Sequence, residues 1–509
     1  MPAMSDAPPR WNTAAAVCAR CLAVTGLLLT AWLPAAPACA QALPVAVEAA
    51  LQRAGLPRDA LAVLLVDAEG RTPPRVSHRA GVPMNPASTM KLVTTYAALD
   101  LLGPAWVWRT PVYIEGAVRD GVLYGHLYLR GQGDPKLVTE RVWLLMRRLR
   151  GLGIQRIAGD IVLDRSAFEL PDIPAGRFDG EALRPYNATP DALLVNYKAL
   201  QLTLVPDRLT QTAQLHVEPP LARLQVPRQL PLQDGPCADW RAALKADFTD
   251  PAQLRLAGAY PAACGERSWA LAPPDPAGFA ARVIEGLWRE AGGQLDGAVR
   301  EGRVPATLEP VLTLESPALA EVVRDINKYS NNVMAQQLFL TLALARPAAG
   351  AAAPTAVAPS SPATPERARA ALRQWWQERL PGVEAPLLDN GSGLSREERI
   401  SAQAMARLLQ TAYRSPLMPE LMASLPVPGA DGTLRNRAAP QQGGAHLKTG
   451  SLRDVTALAG YLHTANGRRL VLVALVNHPQ AAAARPALDA LVDWALHDNG
   501  GPPSAPASR

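Results

Sequence analysis

Two strand-like runs near the C-terminus, Leu458 to His463 and Arg469 to Asn477, are joined through Asn466-Gly467. An Asn-Gly pair between two such runs is a strong signal for a β-hairpin, because both residues accept the backbone angles of a tight turn. A further apolar run, Leu61 to Asp67, predicts a strand near the N-terminus. Ala482 to His497 predicts a closing helix with an apolar face. The two ends of the chain therefore predict an α/β (α+β) fold.

The middle of the chain has a different sequence pattern. From about residue 109 to residue 305, short alternating segments such as Val122 to Leu129 are broken by Gly, Pro and Asp. This pattern predicts one or two inserted, mainly β domains, with a nested subdomain at about 195–265. The outer domain then comprises residues 41–108 and 306–498.

Two segments are too poor in large apolar residues to order themselves. Residues 346–365 are almost entirely Ala, Pro, Thr and Ser, and residues 499–509 are similar. Such segments bury too little apolar surface to offset the entropy of folding. We expect a flexible insertion at 346–365 and a disordered tail at 499–509.

The N-terminus is typical of an export signal. Arg10 and Arg20 precede an apolar run from Cys21 to Leu33, and Ala38-Cys39-Ala40 places small residues at a cleavage spacing. We expect residues 1–40 to be removed near Ala40/Gln41, which places the mature chain outside the cytoplasmic membrane. A retained membrane anchor is the alternative, but the run is shorter than a bilayer-spanning helix. A lipid anchor at Cys39 is disfavoured because no Leu stands three residues before it.

Cysteine usage agrees with export. After removal of the signal, only Cys237 and Cys264 remain. An even pair in an oxidising compartment predicts one disulfide, and two separate buried thiols remain the alternative.

The chain is mildly basic. The precursor has a net charge of +6, and loss of Arg10, Arg20 and Asp6 removes two positive charges and one negative, which leaves +5. This charge favours association with anionic wall polymer or a membrane surface. No basic cluster or basic-aromatic motif indicates nucleic-acid binding.

Lysine is scarce, which makes each lysine informative. Only six of the 51 basic residues are lysines, at positions 91, 136, 198, 245, 328 and 448. Arginine stays protonated at any accessible pH, whereas a desolvated lysine can lose its proton and act as a base.

Ser88 and Lys91 form a Ser-x-x-Lys motif at the start of a predicted helix. Residues three apart lie on the same helix face, so the hydroxyl and the amine can meet. A serine hydroxyl needs a base to become a nucleophile, and the helix N-terminus favours the resulting alkoxide. The alternative is an ordinary helix cap followed by a solvated lysine.

A second lysine lies on a predicted strand before the hairpin, in Lys448-Thr449-Gly450-Ser451. Its ammonium group can hold a substrate carboxylate and lower the pKa of Lys91 by like-charge repulsion. Gly450 allows close backbone approach, so that a substrate can lie along the strand.

Ser330-Asn331-Asn332 follows a predicted helix and lies between the two lysine motifs. The Ser330 hydroxyl could pass a proton between Lys91 and a leaving amine, and the Asn332 amide could hold Lys91 and a substrate carbonyl. On its own such a triplet is more typical of a loop.

In this order, Ser-x-x-Lys, Ser-x-Asn and Lys-Thr-Gly form the motif set of the penicillin-recognising serine acyl enzymes. With several further stretches, the chain from about Leu51 to His497 resembles the type-4, class C low-molecular-mass penicillin-binding proteins. The resemblance implies a serine β-lactamase/penicillin-binding-protein-like domain, with an antiparallel sheet flanked by helices and a large, mainly β insertion. The further stretches are Gly131–Pro135, Tyr186–Ala188, Val195–Tyr197, Asp389–Arg396 and Gly429–Leu434.

The resemblance also implies a role for each motif residue. Ser88 is the acylated nucleophile, Lys91 its base, and Ser330 with Asn332 the second motif. The terminal carboxylate of the substrate is bound by Lys448 and Thr449. The backbone N–H groups of Ser88 and Ser451 form the oxyanion hole, and Asp164 and Arg396 contact the substrate.

The family activity is that of a periplasmic D-alanyl-D-alanine carboxypeptidase and DD-endopeptidase, which cuts peptidoglycan stem peptides and is acylated by β-lactams. A catalytically silent wall-binding protein and a β-lactamase are the alternatives. We expect no cofactor and no metal, because the seven histidines form no HExxH-like spacing. A Gly-x-Ser-x-Gly elbow is also absent from the sequence.

Overall fold

The computed structural model describes residues 42–174, 176–273, 275–345, 361–437 and 443–497. The predicted signal (1–40), the predicted tail (499–509) and most of the predicted Ala/Pro-rich insertion lie outside the described residues. None of the helices within the described ranges combines the length and the apolar character that crossing a bilayer requires.

A five-stranded antiparallel sheet joins the two ends of the described chain. The predicted strand Leu61–Asp67 is present with the predicted bounds, and the first hairpin strand begins at Val455 rather than Leu458. Leu61 pairs with Val476, so the N-terminal strand extends the C-terminal hairpin. In spatial order the strands are Ala445–Leu452, Val455–His463, Arg469–Asn477, Leu61–Asp67 and Val76–His78.

Helices cover both faces of this sheet, which explains why the strand Leu61–Asp67 is apolar without alternation. One set of its alternating side chains packs against the helices Val45–Arg53 and Arg485–His497. The other set belongs to a larger core with the helices of the second face. These are Lys91–Leu102, Leu319–Tyr329, Asn332–Ala345, Pro365–Arg379, Ala402–Tyr413 and Met418–Ser424. A short two-stranded sheet pairs Pro83–Met84 with Ile400–Ser401.

The insertion has a hydrophobic core of its own. Its larger sheet has seven strands: Arg109–Arg119, Val122–Arg130, Arg156–Ile157, Ile161–Asp164, Gln294–Leu295, Val299–Glu301 and Pro310–Glu315. Its smaller sheet has five: Leu200–Asp207, Thr212–Glu218, Gln229–Gln233, Tyr260–Pro261 and Arg267–Leu271. A two-stranded ribbon pairs Ala246–Asp247 with Arg255–Leu256, and the helices are Thr139–Gly151, Trp240–Leu244 and Phe279–Glu290.

Strand pairing moves the predicted boundaries of the insertion. Pro310–Glu315 pairs with Arg109–Arg119, so the insertion closes at Glu315 rather than at residue 305. The smaller sheet ends at Leu271, beyond the predicted limit near residue 265. Cys237 and Cys264 lie in segments that follow two of its strands, and they form a disulfide with their Cα atoms 4.7 Å apart.

The end of the predicted flexible insertion is folded. Ala363 is fully buried, and the Thr364 hydroxyl accepts the N–H of Arg367 at 3.2 Å as the cap of helix Pro365–Arg379. A threonine followed by proline is a favourable helix start, and this local signal outweighs the polar composition around it. The prediction of flexibility was therefore wrong for residues 361–365.

Candidate active site

Ser88 lies in a tight turn that is fixed by its neighbours. It belongs to the 3₁₀ turn Ala87–Met90, which leads directly into the helix Lys91–Leu102. Ala87 has a positive φ of 46°, and its N–H donates to the Asn85 side chain at 2.9 Å. Asn85 in turn exchanges two hydrogen bonds with the Asn477 side chain. The hydroxyl of Ser88 is thus carried on a restrained backbone at a helix start.

Two glycines permit other segments to approach this turn. A Cβ atom on Gly450 would lie 2.6 Å from the Pro86 carbonyl oxygen, and one on Gly393 would lie 1.9 Å from the Ala87 carbonyl oxygen. Any side chain at either position would push the lysine-bearing strand or the loop Asp389–Arg396 away from Ser88.

Lys91 is fully buried beside Ser88. Its Nζ atom lies 3.0 Å from Ser88 Oγ, 2.6 Å from Asn332 Oδ1 and 2.5 Å from the Ser392 carbonyl oxygen. Within the described part of the chain, no carboxylate contacts this amine. Burial lowers the pKa of Lys91 to about 7, and the nearby Glu398 carboxylate opposes that shift. The predicted repulsion from Lys448 is therefore not the main cause.

The contacts of Lys91 suit the neutral amine. Asn332 Oδ1 and the Ser392 carbonyl can only accept hydrogen bonds, whereas the Ser88 hydroxyl can also donate one. A neutral amine has two hydrogens for these two acceptors and one lone pair for the Ser88 proton. The geometry therefore fits a base poised to deprotonate Ser88.

The second motif lies where two helices meet. Ser330 ends the helix Leu319–Tyr329 in a left-handed conformation with a φ of 57°, and Asn332 begins the next helix. The Asn332 Nδ2 group donates to the Tyr186 carbonyl at 3.0 Å, which orients its oxygen towards Lys91. The insertion thus holds the site through the backbone of Tyr186.

Lys448 lies on the edge strand Ala445–Leu452 and is also fully buried. Its Nζ atom contacts Ser330 Oγ and the Thr449 carbonyl oxygen, each at 2.8 Å. Burial and then repulsion from Lys91 hold the pKa of Lys448 well below its usual value. Lys91 thus contacts the hydroxyl of Ser88, and Lys448 contacts the hydroxyl of Ser330.

An open cavity of about 480 Å³ adjoins these groups. Thr449 Oγ1 lies at its wall, 2.8 Å from the Thr433 hydroxyl of the predicted Gly429–Leu434 stretch. Ser88, Ser330, Gly450 and Ser451 also line this cavity. The structure therefore brings one part of each of the three predicted motifs to this cleft, with Lys91 and Lys448 buried behind its wall.

Asp164 is not among the residues that line the cavity at Ser88. Its side chain is only 2% exposed, and it accepts hydrogen bonds from Arg130, from the Val304 N–H and from the Ser166 N–H. Burial acts against its ionisation, but the bonds from Ser166 and Val304 prevail and lower the pKa of Asp164. These bonds hold the Asp164 carboxylate in place, and its predicted substrate contact stays a prediction.

Arg396 lines a neighbouring cavity of about 520 Å³ rather than the one at Ser88. Its guanidinium group contacts Asp454 at 2.8 Å and lies 4.7 Å from the ring centroid of Phe178. Its predicted substrate contact stays a prediction.

Two residues that act on Lys91 were not predicted from the sequence. Ser392 lies in a turn in which its N–H and its hydroxyl donate to Asn390 Oδ1. Its carbonyl, however, contacts Lys91, and a backbone group leaves no mark in the side-chain sequence. Glu398 is fully buried behind this turn. In the sequence it is marked only by its position two residues after the stretch Asp389–Arg396.

A buried lysine beside a helix-start serine, a second lysine on an edge strand and a helix-covered antiparallel sheet define the class of active-site-serine acyl enzymes. More particularly, the chain belongs to the D-Ala-D-Ala carboxypeptidase 3 (S13) family, whose model matches residues 43–497. The predicted family, fold class and serine-type carboxypeptidase class are thereby confirmed.

Individual relatives agree with this assignment. The chain is 25% identical to the D-alanyl-D-alanine carboxypeptidase DacB of Haemophilus influenzae over 402 residues, 77% of this chain and 80% of that protein. It resembles the crystal structure of penicillin binding protein 4 (dacB) from that organism, with a TM-score of 0.68, 22% identity, and coverage of 88% of this chain and 99% of that one. A second structure of that protein holds a β-lactam.

A more distant likeness is to a penicillin G-acylated predatory endopeptidase from Bdellovibrio bacteriovorus. The TM-score is 0.51 at 15% identity, over 87% of this chain and 93% of that one. At this identity the likeness shows the shared fold alone.

Proposed function

We propose that this chain hydrolyses D-Ala-D-Ala and related D-centred peptide bonds of peptidoglycan stem peptides through an acyl-enzyme on Ser88. One observation carries the proposal: a fully buried Lys91 amine lies 3.0 Å from Ser88 Oγ, and its two other contacts are neutral acceptors. A lysine in this setting can be neutral near pH 7 and can accept the serine proton.

In the acylation step, Ser88 Oγ attacks the carbonyl carbon of the penultimate D-Ala, and its proton passes to Lys91. The oxyanion is received by the N–H groups of Ser88 and Ser451. The proton then reaches the leaving nitrogen through the Ser330 hydroxyl, which accepts from Lys448 and keeps its own hydrogen free to donate. The C–N bond breaks, and the amine departs.

In the deacylation step, water attacks the ester carbon. Lys91 takes one proton from that water and returns it to Ser88 Oγ as the C–O bond breaks. The stem peptide leaves one D-Ala shorter, and the enzyme is restored.

Substrate orientation comes from the terminal carboxylate. Thr449 lines the same cavity as Ser88, and the buried Lys448 lies directly behind it, with its Nζ atom in contact with the cavity-lining Ser330 hydroxyl. A substrate carboxylate that reaches this group can pair with the Lys448 ammonium group. Because burial and Lys91 disfavour the charged form of Lys448, carboxylate binding should take up a proton.

The same chemistry extends to two further substrates. In a cross-linked peptide, the leaving nitrogen belongs to a neighbouring stem peptide, and the open cleft of about 480 Å³ offers room for more than a single D-Ala. A β-lactam presents a strained amide next to a carboxylate and should acylate Ser88. These substrates lie outside the cytoplasmic membrane, which agrees with the export predicted from the N-terminal sequence.

Two measurements test the proposal. Intact mass spectrometry after incubation with penicillin should show one covalent adduct that Ser88→Ala removes. Ser268→Ala, at an exposed serine of the insertion, should keep that adduct. Native protein should also release D-Ala from diacetyl-Lys-D-Ala-D-Ala. A protein that binds this peptide without releasing D-Ala would be a silent wall-binding protein, and rapid release of hydrolysed penicillin would indicate a β-lactamase.

A further inference from the structure

Glu398 is a fully buried carboxylate behind the Ser88 site. Its Oε1 atom accepts three consecutive backbone N–H groups, from Asp389 at 3.2 Å, Asn390 at 3.1 Å and Gly391 at 2.8 Å. Its Oε2 atom is buried with no hydrogen-bond partner in the part of the chain that the structure describes. A single side chain thus determines the shape of this turn.

The turn held by Glu398 contacts the Ser88 helix at two places. The Gly391 carbonyl accepts the Thr94 hydroxyl at 2.6 Å, and the Ser392 carbonyl accepts Lys91 Nζ at 2.5 Å. Because Gly391 is bonded to Glu398 and Ser392 follows it directly, a shift of the Glu398 carboxylate would move the Ser392 carbonyl away from the base.

Charge couples Glu398 to the same site. The site buries two amines, Lys91 and Lys448, and the Glu398 carboxylate is the negative group that acts on Lys91. Burial raises the pKa of Glu398 to about 6, and the Asp389 carboxylate also raises it. Glu398 is therefore mostly ionised at neutral pH, where its charge favours the protonated form of Lys91.

We propose that Glu398 is a positioning residue of the acyl-transfer site: it fixes the Ser392 carbonyl against the Lys91 amine and supplies a compensating negative charge for the buried Lys91. This inference rests on the proposed role of Lys91 as the base. Nothing in the chemistry requires Glu398 to touch the substrate.

Glu398→Gln separates charge from geometry. The glutamine keeps an oxygen for the three N–H groups but removes the negative charge, so the proton affinity of Lys91 should fall. A larger fraction of Lys91 is then neutral at a given pH. In the pH profile of Ser88 acylation by penicillin, the acid limb, where the rate rises with pH, should therefore move to lower pH. Glu384→Gln, at an exposed glutamate, is the matched control and should leave the limb unchanged.

Glu398→Asp tests the geometry. It keeps the charge but draws the carboxylate back by one methylene, so the acid limb should stay near its position while the acylation rate falls, on the order of 100-fold for a displacement of about 1 Å. This variant also provides a readout if the glutamine variant does not fold.

The outcomes are distinct. An acid limb that coincides in wild type and Glu398→Gln would overturn the charge role, and an Asp variant with full rate would overturn the positioning role. Wild-type protein that forms no adduct on Ser88 would instead refute the proposed function.

Discussion

Two lysines beside the catalytic cleft and two lysines of the insertion have opposite kinds of partner. Behind the wall of the cleft, the fully buried Lys91 and Lys448 contact only hydroxyl, amide and carbonyl oxygens among the described residues. Where the insertion meets the helix Leu319–Tyr329, Lys136 contacts the Asp325 carboxylate at 2.7 Å. Burial acts against the charge of Lys136, but the hydrogen bond to Asp325 prevails and raises its pKa.

Burial alone therefore does not decide the chemistry of a lysine, because the group that it contacts also matters. A second example in the insertion is Lys198, a buried lysine that contacts the Asp191 carboxylate at 3.1 Å. A carboxylate in contact keeps the ammonium charged and makes it structural. A lysine surrounded by neutral acceptors can give up its proton and serve as a base.

The largest effect should come from Lys91→Arg. Arginine stays protonated, so the Ser88 proton loses its acceptor, and the acylation rate by penicillin should fall by about 10⁴-fold. The matched control is Lys136→Arg, whose ion pair with Asp325 can be kept. Stopped-flow or mass-spectrometric rates would measure both, and equal losses in the two variants would remove the distinction between the regions.

Asp191→Ala should act on stability rather than on chemistry. It leaves the buried Lys198 ammonium without its carboxylate partner and should lower the free energy of unfolding by about 3–5 kcal/mol. Urea denaturation measures this change. The control Asp454→Ala removes an exposed pair with Arg396 and should cost less than about 1 kcal/mol. Equal values for the two variants would contradict the account.

A smaller effect is expected from Lys448→Met, which keeps the length of the side chain and removes its charge. Loss of a charge-assisted hydrogen bond to the terminal carboxylate should lower kcat/KM for D-Ala release on the order of 100-fold. For wild type, replacing the terminal carboxylate of the substrate by an amide should lower kcat/KM by a similar factor. If the ratio of kcat/KM for the carboxylate substrate to that for the amide substrate is the same in the variant and in wild type, Lys448 does not bind the carboxylate.

Much of the fold could be predicted from local pattern. The strand Leu61–Asp67 and the Asn-Gly hairpin carry their apolar runs and turn residues in adjacent positions. The end of the insertion could not be placed, because Pro310–Glu315 pairs with a strand about 200 residues away and no local signal records that pairing.

In the site as well, local features could be predicted from the sequence and contacts between distant residues could not. Motif spacing and lysine scarcity led to Ser88, Lys91 and Lys448, but scarcity alone marked the structural Lys136 and Lys198 equally. Partners decide between these groups, and partners are distant in sequence. For the same reason the sequence could not show that Arg130 and the Val304 N–H contact the Asp164 carboxylate.

The central claim is that Lys91 is a base because burial among neutral acceptors makes its deprotonation easy. The most direct measurement is the pH dependence of Ser88 acylation by penicillin, followed from pH 5 to pH 10. Because the reactive form is the neutral amine, the account predicts a rate that rises with pH through a midpoint near 7 and then levels off. A midpoint near the ordinary lysine value of about 10.4, or a rate independent of pH across this range, would contradict it.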